Sequence, residues 1–156
     1  MDTNRQPDAI ELIRLADPGQ SVSVRLRSTE PTLESLGVRY YDAEAVVTSG
    51  FVNGTVYLGF DSEDLSDWGR LLDAIEEADL NEPFTADWPR SGRTAYLRFI
   101  SDDPYVVEVR DSTSTQIVVS VPFDMGDEWI AESRERLAAV RAALGVGAED
   151  YRGARP

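Results

Sequence analysis

The stretch DAEAVVTSGFVNGTVYLGFDSEDLSDW, Asp42 to Trp68, constrains the fold more than any other part of the chain. Two apolar runs, AEAVVTSGFV and TVYLGF, flank Asn53-Gly54. Asn-Gly between such runs is the strongest short hairpin signal, because both residues tolerate the positive φ of a type I′ turn. Gly50 inside the first arm predicts a bulge or a close backbone approach. The second arm ends at Asp61-Ser62, where either side chain can cap a helix. Glu63, Asp64 and Asp67 follow, and carboxylates suit the positive end of a helix dipole. Leu65, Trp68, Leu72 and Ile75 then recur at helical spacing, which predicts one apolar stripe on a helix over 62–78. The unit is therefore strand, turn, strand and capped helix.

The rest of the chain extends that pattern. Residues 9–17 and 21–27 read as two strands around Asp17-Pro18-Gly19. In the second, Val22, Val24 and Leu26 share one face, and Ser21, Ser23, Arg25 and Arg27 the other. Residues 28–41 lack a sustained period and contain Pro31 and Gly37, so they read as a long loop. Phe84 to Trp88 forms a short edge strand stopped by Pro89. Strands follow at 94–101, 105–111 and 114–121, with turns at Asp102-Asp103-Pro104 and Ser112-Thr113. Tyr105, Val107 and Val109 should face inward with Ile117, Val119 and Val121, and Pro122 should end the sheet. A last helix over 127–144 carries Trp129, Ile130, Leu137, Val140 and Leu144, with Gly145 as its C-cap. The expected fold is α+β: a mostly antiparallel sheet of seven or eight strands with two amphipathic helices packed on it. The expected layout is a loose leader at 1–7, one domain at 8–145 and a flexible tail at 146–156.

Composition bounds the function by exclusion. The 156 residues contain no cysteine and no histidine. Disulfides, thiol catalysis, His-dependent serine triads and the usual zinc ligand sets are therefore absent. The net charge is −14, and every basic residue is arginine. Such a surface repels phosphate backbones, which argues against nucleic acid, and attracts a basic protein. No apolar run reaches the ~20 residues of a membrane span, and the polar, acidic start lacks a signal-peptide pattern. The expected location is the cytoplasm.

Plainer readings account for most of the motifs. An EF-hand loop needs glycine at its sixth position and glutamate at its twelfth. Counting from Asp61, those positions hold Ser66 and Leu72, so a capped helix start explains the acids better. Paired carboxylates could serve a glycosidase, but no spacing selects a pair. Gly50, Gly54 and Gly59 do not make a phosphate loop. No cofactor or metal is expected. Three segments remain as candidate partner-binding surfaces. The first is Tyr40, Tyr41, Asp42 and Glu44, an aromatic pair at a strand entry with acids behind it. The second is the acidic helix start, Asp61, Glu63, Asp64 and Asp67. The third is Trp88 with Arg90, since an exposed tryptophan beside arginine is a common binding hot spot.

The stretches IELIRLAD, SVSVRLR and YYDAEAVVTSGFVNGTVYLGFDSEDLSDWGRLLDAI resemble a family of small actinobacterial proteins of unknown function. That family has a DAE-VVTSGFV-G strand, here Asp42–Gly54, and a DLDDW helix start, here Asp64–Trp68. VPFDMGDEWIAESRERL, residues 121–137, fits its closing strand and helix. A more distant similarity is to WapI-type immunity proteins of polymorphic toxin systems, through Asp64, Leu65, Trp68 and Leu72. That resemblance implies a non-catalytic protein that binds a toxin domain, and it carries over no inhibitory residue.

The sequence thus predicts a non-catalytic acidic binding module, of immunity or regulatory type, for a basic protein. It would be a monomer or a weak homodimer. The alternatives are a small enzyme with a carboxylate-based site, or a structural module that dimerises through a sheet edge or helix face.

Overall fold

The computed structural model describes residues 10–78, 83–90, 94–101, 105–112 and 114–147. The expected leader at 1–7, the Asp102-Asp103-Pro104 turn and the tail from 148 onward lie outside these residues. Among them the order is β1 (Glu11–Asp17), β2 (Gln20–Leu26), β3 (Leu33–Ser35), β4 (Val38–Ser49), β5 (Gly54–Asp61), α1 (Ser62–Glu77), β6 (Thr85–Trp88), β7 (Tyr96–Ile100), β8 (Tyr105–Arg110), β9 (Val118–Phe123) and α2 (Trp129–Leu144). The class is α+β, as expected, and every strand pair is antiparallel.

The strands form two sheets, where the sequence predicts one. β4 is the spine of the first: β2 and β3 pair along one edge and β5 along the other. β6-β7-β8-β9 make the second. The division falls where β5 gives way to α1. Beyond β5, the outward N–H of Gly59 donates to the Thr94 hydroxyl at 3.1 Å, not to another strand.

Period-two alternation sets the inner face of the first sheet. Ile13, Leu15, Val22, Val24, Leu26, Tyr41, Ala43, Ala45, Val47, Leu58 and Phe60 are all buried. The second sheet contributes Trp88, Leu97, Phe99, Val107, Val109, Val121 and Phe123 to the same core. The four predicted stripe residues of α1 are buried, as are Leu137, Val140 and Leu144 of α2. Trp129 and Ile130 are half-buried, and Trp129 meets Tyr105 edge-on at 5.8 Å. Each large apolar side chain taken inside contributes about 1.5–3 kcal/mol. Among the described residues, no helix is long and apolar enough to cross a membrane.

Several local expectations fail for identifiable reasons. The loop expected at 28–41 contains β3 and the first residues of β4. They are joined by a two-residue turn with φ 54° at Leu36 and 81° at Gly37. Positive φ at both centres is the type I′ signature. The sequence hid this hairpin because leucine is a poor left-handed residue and β3 is exposed throughout.

Asn53-Gly54, where a type I′ turn was expected, has no positive φ. The β4–β5 hairpin is real, but its loop is longer and built by side chains. The Ser49 hydroxyl accepts from the Phe51 and Val52 N–H groups at 3.0 and 2.8 Å, and Asn53 Oδ1 accepts from the Ser49 N–H at 3.3 Å. Gly50 lies in that loop with open space around it, so it marks neither a bulge nor a close approach.

β9 starts at Val118 and runs through Pro122, which was expected to end it. Proline is tolerated there because β9 is an edge strand. Ile117, expected inside, is 60% exposed, and Phe123 takes an inward place instead. Val146, expected in the tail, is buried. Gly145 adopts φ 70°, and the Gly145 and Val146 N–H groups donate to the Ala142 and Arg141 carbonyls in a Schellman pattern.

Candidate functional site

The acidic helix start is built from a reciprocal cap. The Asp64 N–H donates to Asp61 Oδ1 at 2.9 Å, and the Asp61 N–H donates to Asp64 Oδ2 at 2.9 Å. This capping box satisfies two backbone donors that the first turn would otherwise leave open. Asp64 lies four residues before Trp68, on the same helical face, and is buried. Burial pushes its pKa from an ordinary 3.8 up to about 7; the Asp61 N–H opposes that rise, and the Asp61 and Asp67 charges add to it. The Trp88 indole donates to the Asp64 carbonyl oxygen at 2.7 Å, which ties β6 to the first turn of α1.

Three of the predicted partner-binding residues are therefore internal. Tyr41, Asp64 and Trp88 are 1%, 5% and 0% exposed, so none of them presents a contact surface. Tyr41 shares strand parity with Ala43, Ala45 and Val47, which face the core. Trp88 belongs to an aromatic column. Ring centroids are 5.6 Å apart for Tyr41 and Phe60, 5.8 Å for Phe60 and Trp88, 6.1 Å for Trp88 and Trp68, and 5.4 Å for Trp68 and Phe99. The premise that Trp88 is an exposed hot spot is overturned. Its side chain packs in the core, and a groove lies beside it.

That groove lies between α1 and β6 and has a volume of about 280 Å³. Asp67, Arg70 and Leu71 line it from α1, and Ala86, Asp87, Trp88 and Arg90 from β6 and its end. The fold thus brings Asp67, from the acidic helix start, to the Trp88 and Arg90 pair, which the sequence offered as a separate segment. Asp67 is paired with Arg70. Arg98 reaches Asp87 with two hydrogen bonds, Nε to Oδ1 at 2.7 Å and Nη2 to Oδ2 at 3.1 Å. That bidentate contact raises the Arg98 pKa. Asp87, Arg70 and Arg98 carried no distinguishing pattern in the sequence. The Asp87–Arg98 pair depends on the β6–β7 register, in which the two stand opposite each other.

The remaining candidates lie on the outer face of the first sheet and along α1. Tyr40 stands opposite Asp61, Asp42 opposite Gly59, and Glu44 between Arg25 and Tyr57. The Tyr57 hydroxyl donates to Asp42 Oδ1 at 2.8 Å. Its ring lies over Gly59, where an added Cβ would come within 2.9 Å of that hydroxyl oxygen. Burial raises the Tyr57 pKa, the hydrogen bond to Asp42 and its charge add to this, and Arg27 opposes it. Glu63 is exposed on the helix. Among the described residues, no group of three or more His, Cys, Asp or Glu side chains could hold a metal ion.

A two-sheet antiparallel α+β domain with two helices is the class these features define. Residues 10–145 match the model of a family of unknown function, DUF5959, and the chain belongs to that family. No curated protein and no solved structure matches it.

Proposed function

We propose that the protein is a non-catalytic acidic binding module, cytoplasmic, that docks a basic protein along α1. The observation that carries this reading is the charge of that helix. Its sixteen residues hold six carboxylates and one arginine. Asp64 is buried, and Asp73 and Glu76 hold Arg134 of α2 at 2.7 Å each. Glu63 and Glu77 are exposed, and Asp67 sits at the mouth of the groove. A basic partner would be steered to such a ridge, and the encounter would weaken as salt screens it. An immunity-type role against a cationic toxin domain is the finer form of the same reading, supported by the resemblance at Asp64, Leu65, Trp68 and Leu72.

The test is affinity capture from the source organism at low and high salt, with wild type and a Glu63→Lys/Glu77→Lys variant. A stoichiometric basic protein held at low salt, released at high salt and not held by the variant is the expected result. Equal capture by the variant would remove α1 as the surface, and recovery of no basic protein would sink the reading.

The enzyme alternative would draw on the α1–β6 groove, where Asp67 and Asp87 share a concave wall. Both carboxylates are tied to arginines, however, which favours binding over proton transfer.

A further inference from the structure

We propose that the outer edge of β5 is a pairing surface for a second copy of this chain, across a twofold axis at Val56. The edge is open by geometry. The Arg27 N–H donates to the Asp42 carbonyl at 2.9 Å, so the even-numbered backbone groups of β4 face β2 and its odd-numbered groups face β5. Leu58 and Val56, opposite Ala43 and Ala45, therefore make the β4 bonds. Thr55, Tyr57 and Gly59 point their N–H and C=O groups the other way. Gly59 is satisfied by Thr94. Thr55 and Tyr57 have no backbone partner on that side among the described residues.

Natural sheets guard such edges with prolines, bulges, charges or cover. The other edges of this molecule follow that rule. β9 carries Pro122, whose carbonyl accepts from the Gln20 side chain at 2.7 Å. β1 has a register break between Glu11 and Ile13 and is packed by α2. β6 is short and abuts α1. β3 has three residues. β5 has no proline and no register break, and it carries no charge before Asp61.

The charge pattern favours a second copy. Although 28% of the chain is charged, no Asp, Glu, Lys or Arg occurs from Ala45 to Phe60. Two bodies of net charge −14 repel wherever their carboxylates face each other. Along this strip the nearest outer-face carboxylates are already engaged, Asp42 by the Tyr57 hydroxyl and Glu44 opposite Arg25, so two copies meet there at a lower cost. The pairing is also self-complementary. With Val56 opposite its symmetry mate, Thr55 of each chain meets Tyr57 of the other, and those are the residues with open groups. Four N–H···O=C bonds result, and a threonine–aromatic cross-strand pair forms on each side. An apolar cleft of about 240 Å³, lined by Val52, Val56, Val109, Ile117 and Val119, flanks β5. The twofold would bring the clefts of the two copies side by side.

This inference does not depend on the basic-partner reading, and salt acts on the two with opposite sign. The experiment is sedimentation equilibrium of the full chain over a wide concentration range, at low and high salt, for wild type and Thr55→Pro. Proline at 55 removes an N–H that β4 does not use, so the intramolecular ladder stays intact. The wild-type mass should rise with concentration from 17.3 kDa to twice that value, more readily at high salt, and the variant should keep the mass of one chain. Amide exchange on the wild type gives an independent readout: the Thr55 and Tyr57 N–H groups should exchange more slowly in concentrated than in dilute samples. A mass of one chain at every concentration, a doubling that survives Thr55→Pro, or exchange at these amides that ignores concentration would each overturn the proposal. If an extended peptide protects these amides while the chain stays single, the occupant is a foreign strand and the second copy is excluded.

Discussion

The two ends of the molecule are built on different principles. Where α1 meets the second sheet, Phe60, Trp88, Trp68 and Phe99 pack as tilted rings in a continuous column, and the Trp88 indole donates to the Asp64 carbonyl. At the tip of the β4–β5 hairpin, short valines line an open cleft, and Phe51 and Ile117 stand 93% and 60% exposed beside it. The first end looks functional in the sequence, being rich in aromatics and acids, and it is largely scaffold. The second end looks like plain strand and turn, and it carries the unguarded edge. Residue type alone does not mark a working surface; what matters is whether neighbouring elements have already claimed the side chain or backbone group.

Changes at the aromatic end should cost most. Trp68→Ala deletes a fully buried side chain from the middle of the column and should destabilise the fold by about 3–5 kcal/mol, read as a lower urea midpoint. A loss below ~1 kcal/mol would mean that the column is looser than its packing implies.

The buried carboxylate at the same end makes stability depend on pH. The Asp64 pKa is about 7 in the folded chain against an ordinary 3.8, so the folded state holds the extra proton between those values. Its stabilising contribution is complete below about pH 3.8, is lost as pH rises through about 7, and is flat beyond. Asp64→Asn should remove that part of the slope, because an amide oxygen can still accept from the Asp61 N–H. The check is thermal midpoint against pH from 4 to 9 for both proteins. Parallel curves would show that Asp64 ionises without penalty and that the first turn is wetter than the packing suggests.

The smallest effect is expected at the other end. Ile117→Ser should change stability by less than about 0.5 kcal/mol, since an exposed side chain removes little area from water. A loss well above that value, in chemical denaturation at low protein concentration, would mean that the cleft is closed in the single chain and would erase the contrast between the ends.

Much of this architecture is legible in the sequence. The α1 stripe, the cap at Asp61 and the left-handed Gly145 each depend on residues within a turn or two of one another. Helical period, capping chemistry and glycine preference therefore placed them. Tyr41 and Asp64 were misassigned as contact residues, although Tyr41 shares parity with Ala43, Ala45 and Val47 and Asp64 lies four residues before Trp68, and both turn inward. Alternation marked β2 as a strand with one buried face.

The tertiary structure decided what depends on distant partners. It split the strands into two sheets, because an edge continues only if another strand arrives in register, and at Gly59 the Thr94 hydroxyl arrives instead. It put a type I′ turn at Leu36-Gly37, where the flanking strands demand positive φ, and left Asn53 to act through its side chain. It buried Trp88 under α1, gathered Asp67, Asp87 and Arg90 around one groove, and left Thr55 and Tyr57 without an outward backbone partner among the described residues. Local sequence fixes period and caps because those energies are local. Pairing partner, burial of a lone aromatic and the guarding of an edge are set by contacts many residues away.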